Sequence, residues 1–330
     1  MTTTPHDALF KAAFESPEHA SALLRPLLPP AVSAAITWES MTLQPGSFVD
    51  PKLADRHTDL LFSVQLREGG DALLYFLLEH QSTGDPDMPL RVLAYMVRIW
   101  ERFRAEHEDA RLPPIVPMVV SHVPGGWTAP RSFDELLDPN PASIPGLGEL
   151  VPRFSLLIED LAHLSNDDLK SRSLAAFPKV ALWALRDGRH ADHFGHNMGA
   201  WIAAFADVAR APNGLRALEQ LIRYFALVTD PLPFEAFRAR ILEDLPGTEE
   251  ITMSWFDHQQ EQALAKGRAE GRAEGRVEGR ADVLRKQLIQ KFGPIDSQHT
   301  SRIEAASPET LDHYLERVLT ATTLDAVFAE

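Results

Sequence analysis

Residues 59–81 read DLLFSVQLREGGDALLYFLLEHQ, and they are the strongest indication of the fold class. Two apolar runs, 59–66 and 72–81, flank the segment REGGD, in which glycine supplies the positive φ that tight turns need. The pattern therefore predicts a β-hairpin. Its second strand ends in Glu79, His80 and Gln81, and a carboxylate and an amide at the tip of a core strand suggest a chemical role there.

The flanking segments predict an α/β core within residues 1–150. A helix is expected over about 6–14 and an extended segment at 42–51 (TLQPGSFVDP). A long helix follows over 89–107, and another buried strand over 115–123 (IVPMVVSHV). Together with the hairpin, the order is helix, three strands, helix, strand.

After residue 150 the pattern of apolar residues changes from strand-like to mainly helical spacing. One strand-like stretch, 154–161 (FSLLIEDL), precedes apolar residues at helical spacing, so 151–260 is expected to be a helical region that completes or flanks the core. Residues 261–282 contain a Gly-Arg-Glu repeat of period four. We interpret it as a flexible or marginally helical linker, or as a small-residue seam for self-association. Residues 283–330 predict a small helical appendage.

Composition narrows the class of protein. The 330 residues contain no cysteine, which excludes disulfides, Cys-zinc sites and thiol catalysis. The formal net charge of −15 argues against a protein that coats nucleic acid non-specifically, so any DNA contact has to come from particular arginines. With no apolar run of about 20 residues and no signal-peptide pattern at the start, we expect a cytoplasmic protein without a membrane segment.

The hairpin predicts a metal site if its strands pair so that residue numbers sum to 138. Asp59 then lies opposite Glu79, and strand alternation puts Gln81 on the same face. Two adjacent carboxylates need a cation, and hard oxygen ligands suit Mg²⁺. A register summing to 139 would place Asp59 opposite His80 instead and break the site. The loop length permits either register.

These residues carry a resemblance to a known family. An Asp on the second strand and a Glu-x-Gln at the end of the third resemble the PD-(D/E)XK nuclease fold. More narrowly, HDALFKAAF (6–14), SFVD and RHTDLLFSV (47–64), YFLLEHQS (75–82) and LAYMVRIWER (93–102) resemble the Rpn family of recombination-promoting nucleases, whose members are also described as transposases. The resemblance covers residues 5–125 well and the helical half more loosely.

The resemblance implies a site and an activity. Asp59 and Glu79 become ligands of Mg²⁺ or another divalent ion, Gln81 takes the position of the family's lysine, and Asp7 fills an accessory acidic position. The implied activity is hydrolysis of DNA in recombination. Two positions depart from the pattern: Thr58 precedes Asp59 where the motif has proline, and Gln81 lacks the positive charge of lysine, which weakens electrostatic stabilisation of the transition state.

Other polar residues can be interpreted either as functional or as structural and surface residues. Arg91, Tyr95, Arg98 and Arg102 form one stripe of the long helix, which is either a solvated surface or a face that grips DNA phosphates. Local or surface roles are expected for the histidines, and structural roles for two strand-end acids; these residues are His6, His57, His80, Glu159 and Asp160.

Two other functions remain open. A non-catalytic DNA-binding or assembly protein with a decayed nuclease core would use the helical half and the repeat for homo-oligomerisation. An RNase H-like transposase would need acids on non-adjacent strands and a distant third acid, which the hairpin placement of Asp59 and Glu79 disfavours.

Overall fold

The structure, a computed structural model, describes residues 4–44, 59–79, 84–249, 279–304 and 306–328. These residues belong to two units, divided after residue 255. The described ranges include no helix that is long and apolar enough to span a lipid bilayer.

The first unit contains a five-stranded sheet in which the strands follow one another in chain order. The strands are β1 Ile36–Leu43, β2 Asp59–Leu66, β3 Asp71–Glu79, β4 Ile115–Ser121 and β5 Leu157–Asp160. The pairs β1–β2 and β2–β3 are antiparallel, whereas β3–β4 and β4–β5 are parallel. The predicted hairpin is confirmed: Gly69 and Gly70 adopt φ of 95° and 85° in its loop, a conformation that costs glycine little.

The prediction for the first strand was wrong in position. The strand covers Ile36–Leu43 rather than 42–51, and residues 45–51 lie outside the described ranges. Trp38 and Met41 are buried, whereas Glu39 is exposed. The register with β2 shifts between Thr37 and Thr42, so the buried positions do not alternate regularly. The mixture of apolar and polar side chains also lacks the continuous apolar run that marked β2 and β3.

Helices cover both faces of the sheet. Predicted helices 6–14 and 89–107 are confirmed within a residue or two at each end. The helices among the described residues of this unit are α1 Pro5–Phe14, α2 Pro17–Leu24, α3 Pro30–Ala35, α4 Met88–Glu106, α5 Asn166–Ser171, α6 Ala176–Asp187, α7 Ala191–Arg210, α8 Gly214–Val228 and α9 Pro231–Asp244.

Strand alternation divides the core into two layers. Even-numbered positions such as Leu60, Phe62 and Leu74 pack in the larger cluster, which also contains apolar residues of α1, α2 and α6–α9. Odd-numbered positions such as Leu61 and Leu73 pack instead in a smaller cluster with α4. The sheet therefore lies between α4 and a helical layer, which is a mixed α/β architecture.

Aromatic side chains form the centre of the helical layer. Trp183 stacks on Trp201 at 5.3 Å between ring centroids, and Phe225 lies 5.4 Å from Trp183. All three are essentially inaccessible to solvent. Burying a large apolar side chain contributes about 1.5–3 kcal/mol or more, so these rings fix α6, α7 and α8 against each other.

The second unit is a small helical cluster. It consists of a helix described over 279–292 (α10), then α11 Ser297–Glu304, α12 Pro308–Thr320 and α13 Leu324–Val327. Gly293, with φ of 87°, follows α10, and the Ser307 hydroxyl accepts the backbone N–H of Thr310 at 3.2 Å at the start of α12. Most of the Gly-Arg-Glu repeat, through residue 278, lies outside the described ranges, so its two interpretations stay predictions.

Candidate functional site

The register of the hairpin differs from the predicted one. Asp59 pairs with Leu77 and Gln65 with Asp71, so residue numbers sum to 136 rather than 138 or 139. The reason is the loop: Leu66 donates its backbone N–H to the Gly70 carbonyl at 2.9 Å, which closes a tighter turn than the prediction assumed. Asp59 is therefore not directly opposite Glu79.

The observed register still assigns both acids to one face. Leu77 and Glu79 are two residues apart on β3, so Asp59 and Glu79 occupy diagonal positions of the same parity. Diagonal neighbours in an antiparallel pair are roughly 7–8 Å apart, within reach of longer side chains. Residues 57, 80 and 81 lie outside the described ranges, which leaves the predicted roles of Gln81, His57 and His80 as predictions.

Asp7 lies in the first turn of α1 and is buried. The Thr4 hydroxyl donates to Asp7 Oδ2 at 2.7 Å, while the Asp7 N–H donates to Thr4 Oγ1 at 3.2 Å. Helix α1 packs in the larger cluster, on the face of the sheet opposite to α4, whereas Asp59 and Glu79 have the parity of the α4 face. The accessory role of Asp7 stays a prediction.

The residues Arg91, Tyr95, Arg98 and Arg102 of α4 are less exposed to solvent than predicted. Tyr95, at 5% exposure, packs in the α4 cluster, so its predicted position on an outer face was wrong: a tyrosine ring gains more by burial than by solvation. Arg91 pairs with Asp85, Arg102 pairs with Glu106 at 3.0 Å, and Arg98 is half-buried. All three arginines remain on the helix that covers the face of Asp59 and Glu79.

The two acids at the end of β5 are structural, as predicted. Glu159 is buried and its Oε1 accepts from Arg172 at 2.5 Å. Burial raises the pKa of Glu159, and the charge and hydrogen bond of Arg172 oppose that shift. Asp160 accepts the backbone N–H of Trp127 at 2.7 Å and of Ala162 at 3.3 Å. Asp160 therefore holds together the loops that follow β4 and β5.

A cavity of about 500 Å³ opens at the edge of the sheet where β3, β4 and β5 end. Glu79 pairs in register with Ser121, the last residue of β4, and His122 of the cavity follows directly. The cavity therefore begins at the same sheet edge as Glu79. Its lining is His122, Val123, Pro124, Gly125, Ala162, Leu164, Ser165, Asn166, Arg186, Asp187, His190, His193 and Asn197.

A hydrogen-bonded network forms the floor of this cavity. Asp187 Oδ1 accepts from Arg186 Nε at 2.7 Å, and Asp187 Oδ2 accepts from Arg186, Trp183 and Asn197 at 2.7–2.8 Å. Arg186 also donates to the side chain of Asn166 at 2.5 Å. Since both carboxylate oxygens already accept strong donors, the floor is preorganised and its charges are balanced.

Three histidines line the walls of the cavity. His122 is buried, and its backbone carbonyl accepts from Arg189 at 3.1 Å. The rings of His190 and His193 are 5.7 Å apart. Burial lowers the pKa of His190, and the neighbouring charges of Arg189 and His193 lower it further, against an opposing effect of Asp187.

None of these three histidines was predicted from the sequence as a site residue. His6, for which a local or surface role was predicted, instead hydrogen-bonds with the Tyr224 hydroxyl at 2.9 Å, across 218 residues. Its ring lies 5.0 Å from that of His122. The segment HADHFGHN (190–197), in which three histidines fall within seven residues, was the available signal for His190 and His193. Among the described residues, no group of three or more His, Asp or Glu side chains is placed to hold a metal ion.

Comparison with known proteins identifies the family. Residues 4–204, more than half of the chain, match the family described as "Putative transposase, YhgA-like". The chain belongs to this family. The match takes in all five strands of the sheet, helices α1–α6 and the residues that line the cavity.

Curated relatives carry nuclease names. The chain is 38% identical over 145 residues to the recombination-promoting nuclease RpnD of Escherichia coli O157:H7, which is 43% of this chain and 55% of RpnD. It is 34% identical over 125 residues to the recombination-promoting nuclease RpnA of E. coli K12, 37% of this chain and 41% of RpnA. It is also 28% identical over 191 residues to the inactive recombination-promoting nuclease-like protein RpnE of E. coli K12, 56% of this chain and 60% of RpnE.

These matches support a nuclease or recombination role at the level of the family. They span about half the length of the relatives named here. No solved structure matched the chain.

Proposed function

We propose that this YhgA-like protein is a metal-dependent DNA endonuclease with a PD-(D/E)XK-like core, which hydrolyses phosphodiester bonds in DNA recombination. The observation that carries the proposal is the register of the hairpin. It assigns Asp59 and Glu79 to diagonal, same-parity positions at one edge of the sheet. The nuclease names of RpnD and RpnA support the same conclusion.

Asp59 and Glu79 would hold a divalent ion, with Mg²⁺ as the expected one. Two carboxylates on one face within diagonal distance fit a hard cation that keeps several water ligands. When bound, such an ion supplies an activated water and stabilises the charge that develops on a phosphate oxygen. The diagonal positions separate the two acids more than directly opposite positions would. The side chain of glutamate is longer than that of aspartate, so Glu79 would make up for part of this separation.

The remaining residues would bind the DNA and orient the reactants. Gln81, two positions beyond Glu79, donates and accepts hydrogen bonds and can position the attacking water, although it lacks the charge of lysine. Arg91, Arg98 and Arg102 lie on α4, which covers the face of the two acids. A DNA phosphate would displace Asp85 as the partner of Arg91 and Glu106 as the partner of Arg102. Asp7 is proposed as an accessory acid from α1.

A second candidate function is non-catalytic DNA binding or assembly by a decayed nuclease core. The observation that favours it is the similarity to RpnE, which is named as inactive. An RNase H-like transposase fits less well, because β2 and β3, which carry the two acids, are adjacent strands.

Cleavage of supercoiled plasmid by site variants tests the proposal. Glu79→Gln and Asp59→Asn should each lower the rate of nicking or linearisation by about a hundredfold or more, because each removes a charged ligand near the developing negative charge. Wild-type protein should cleave with Mg²⁺ and fail in EDTA. Asp71→Asn, an exposed acid at the other end of β3, should cleave like wild type.

The result separates the two candidate functions. Cleavage that requires Glu79 and the divalent ion, and that is unaffected by Asp71→Asn, supports the nuclease. Wild-type protein that shifts DNA in a gel but does not cleave it supports the non-catalytic alternative. Equal cleavage by wild type and Glu79→Gln contradicts the proposed site.

A further inference from the structure

Ser121, the last residue of β4, carries a hydroxyl that is fully buried. Its Oγ accepts the backbone N–H of Val123 at 3.3 Å, so the O–H proton still needs an acceptor. Among the hydrogen bonds of the described residues, none has this hydroxyl as its donor. A buried hydroxyl that donates to no acceptor is unfavourable, because folding has removed its hydrogen bond to water. Ser121 therefore has a donor to offer to a neighbouring acceptor.

The register of the sheet gives Ser121 two polar neighbours. It pairs with Glu79 on β3 and with Asp160 on β5. Paired residues of adjacent strands project to the same side of the sheet, and the strands lie about 4.7–4.9 Å apart. Val119, two residues before Ser121, packs in the α4 cluster, so this side is the α4 face, to which Asp59 also belongs. Four polar residues therefore form a row across β2–β5.

Of the two neighbours, Asp160 is already held by other donors. Its Oδ2 accepts the backbone N–H of Trp127 at 2.7 Å and lies 3.5 Å from Nε2 of His163. Its Oδ1 accepts the backbone N–H of Ala162 at 3.3 Å. None of the hydrogen bonds among the described residues joins Asp160 to Ser121, although the two are register partners. The acceptor that remains beside the Ser121 hydroxyl in the row is Glu79.

We propose that Ser121 is a positioning residue whose hydroxyl donates to the Glu79 carboxylate and orients it toward the divalent ion; this rests on the proposed nuclease function. A carboxylate that gives one oxygen to a metal ion keeps a second oxygen that accepts hydrogen bonds, and a donor to that oxygen fixes the orientation of the ligand. Serine supplies the donor without a charge, so it does not weaken the attraction between Glu79 and the cation.

Binding of Mn²⁺ to the full-length chain tests the proposal without DNA. Mn²⁺ takes the same oxygen ligands as Mg²⁺, and electron paramagnetic resonance measures the ion that stays free. Ser121→Ala should weaken Mn²⁺ binding by about tenfold or more, as is usual when a hydrogen bond to a metal ligand is lost. Ser121→Thr keeps the hydroxyl and should bind Mn²⁺ nearly as tightly as wild type.

Ser63→Ala is the matched control for Ser121→Ala. Ser63 lies on β2 with the parity of Leu61, which packs in the α4 cluster. Its hydroxyl is already hydrogen-bonded to Thr42 at 2.8 Å, so its loss should leave Mn²⁺ affinity unchanged. Circular dichroism checks that each variant is folded.

The Mg²⁺ dependence of plasmid cleavage is a second readout. Ser121→Ala should raise the Mg²⁺ concentration for half-maximal cleavage by about tenfold, and the rate should recover at saturating Mg²⁺. A loss of folded protein would lower the rate at every Mg²⁺ concentration instead.

Each outcome bears on one proposal or on both. Equal Mn²⁺ affinity in wild type and Ser121→Ala overturns the role of Ser121, and a Ser121→Thr protein that binds as weakly as Ser121→Ala overturns the role of its hydroxyl. Mn²⁺ binding that depends on Glu79 and Ser121, without DNA cleavage, upholds the positioning role and contradicts the nuclease. Cleavage that depends on Glu79 but has the same Mg²⁺ requirement in Ser121→Ala does the reverse. Wild-type protein that binds no Mn²⁺ overturns both.

Discussion

Replacing Arg172 by methionine should destabilise the first unit in a way that depends on pH. Glu159 is 3% exposed and Arg172 is 18% exposed at the side chain, so water screens their ion pair only weakly. Methionine keeps much of the volume of the arginine stem but leaves the carboxylate of Glu159 buried without its cation. The variant therefore isolates the charge from the packing.

The magnitude follows from the burial of the pair. Removing one partner of a buried ion pair costs about 3–5 kcal/mol. We expect the lower end, about 3 kcal/mol, because one Arg172 nitrogen contacts Glu159 and the arginine retains some solvent access. For a unit of this size, 1 kcal/mol shifts the melting temperature by about 2–4 °C, so the expected loss is about 6–12 °C.

The sign of the pH dependence follows from the raised pKa of Glu159. Below its unfolded pKa both states hold the proton, and burial of the neutral acid carries no charge penalty. As pH rises from the unfolded pKa to the higher folded pKa, the unfolded state loses its proton first, so stability falls. Without Arg172 the folded pKa rises further. The destabilisation of Arg172→Met should therefore be larger at pH 8 than at pH 4.5.

Thermal unfolding monitored by circular dichroism at both pH values provides the measurement. The double variant Glu159→Gln with Arg172→Met should recover part of the loss, because the buried charge is gone. Arg210→Met removes an exposed pair with Asp207 and should change the melting temperature by about 2 °C or less. A melting temperature of Arg172→Met within 1 °C of wild type at pH 8, or equal losses at both pH values, would contradict the proposed role of the Glu159–Arg172 pair.

Two further predictions concern the helical layer, and thermal unfolding checks both. Gly214→Ala should lower the free energy of unfolding by about 1–3 kcal/mol, because the added Cβ would lie 2.1 Å from the Val208 carbonyl oxygen. Gly199→Ala is the control: its Cβ would meet nothing within 4 Å, so it should raise the free energy of unfolding by about 0.5–1 kcal/mol. A change of the same sign in both variants would contradict the contact at Gly214. Asp187→Ala should cost about 3 kcal/mol or more, because it leaves Arg186 buried without its carboxylate. The control is Asp192→Ala, which removes an exposed acid of α7. Equal losses of stability in the two variants would contradict the role of Asp187 as the partner of Arg186.

The sequence predicts the hairpin well but not its register. Continuous apolar runs around two glycines identify β2 and β3, because few other structures suit that pattern. Register depends on how many residues the turn takes up, and Gly69 and Gly70 permit several turns, so Asp59 pairs with Leu77 rather than Glu79. The even difference between the predicted and observed registers preserves the face, since side chains alternate with a period of two.

The cavity could not be predicted from the sequence for a different reason. Its lining comes from segments near 122–125, 162–166 and 186–197, which only tertiary packing brings together. The same is true of Tyr95: its helix was predicted within a residue, but the helical period alone did not show that the tyrosine is buried in the same cluster as Val92 and Ile99 rather than facing solvent. Local patterns predict elements, whereas sites built from distant loops depend on how those elements dock.

The packing of α1 has a consequence for the nascent chain during translation. The buried side chains of α1, including Phe10 and Phe14, pack in a cluster completed by α6 and by α8, which begins at Gly214. About 200 residues must leave the ribosome between Phe14 and α8, which takes roughly 10–40 s at ordinary elongation rates. Throughout that interval the apolar face of α1 lacks its contacts with α8. Chaperone binding to the N-terminal segment should therefore raise the yield of folded protein.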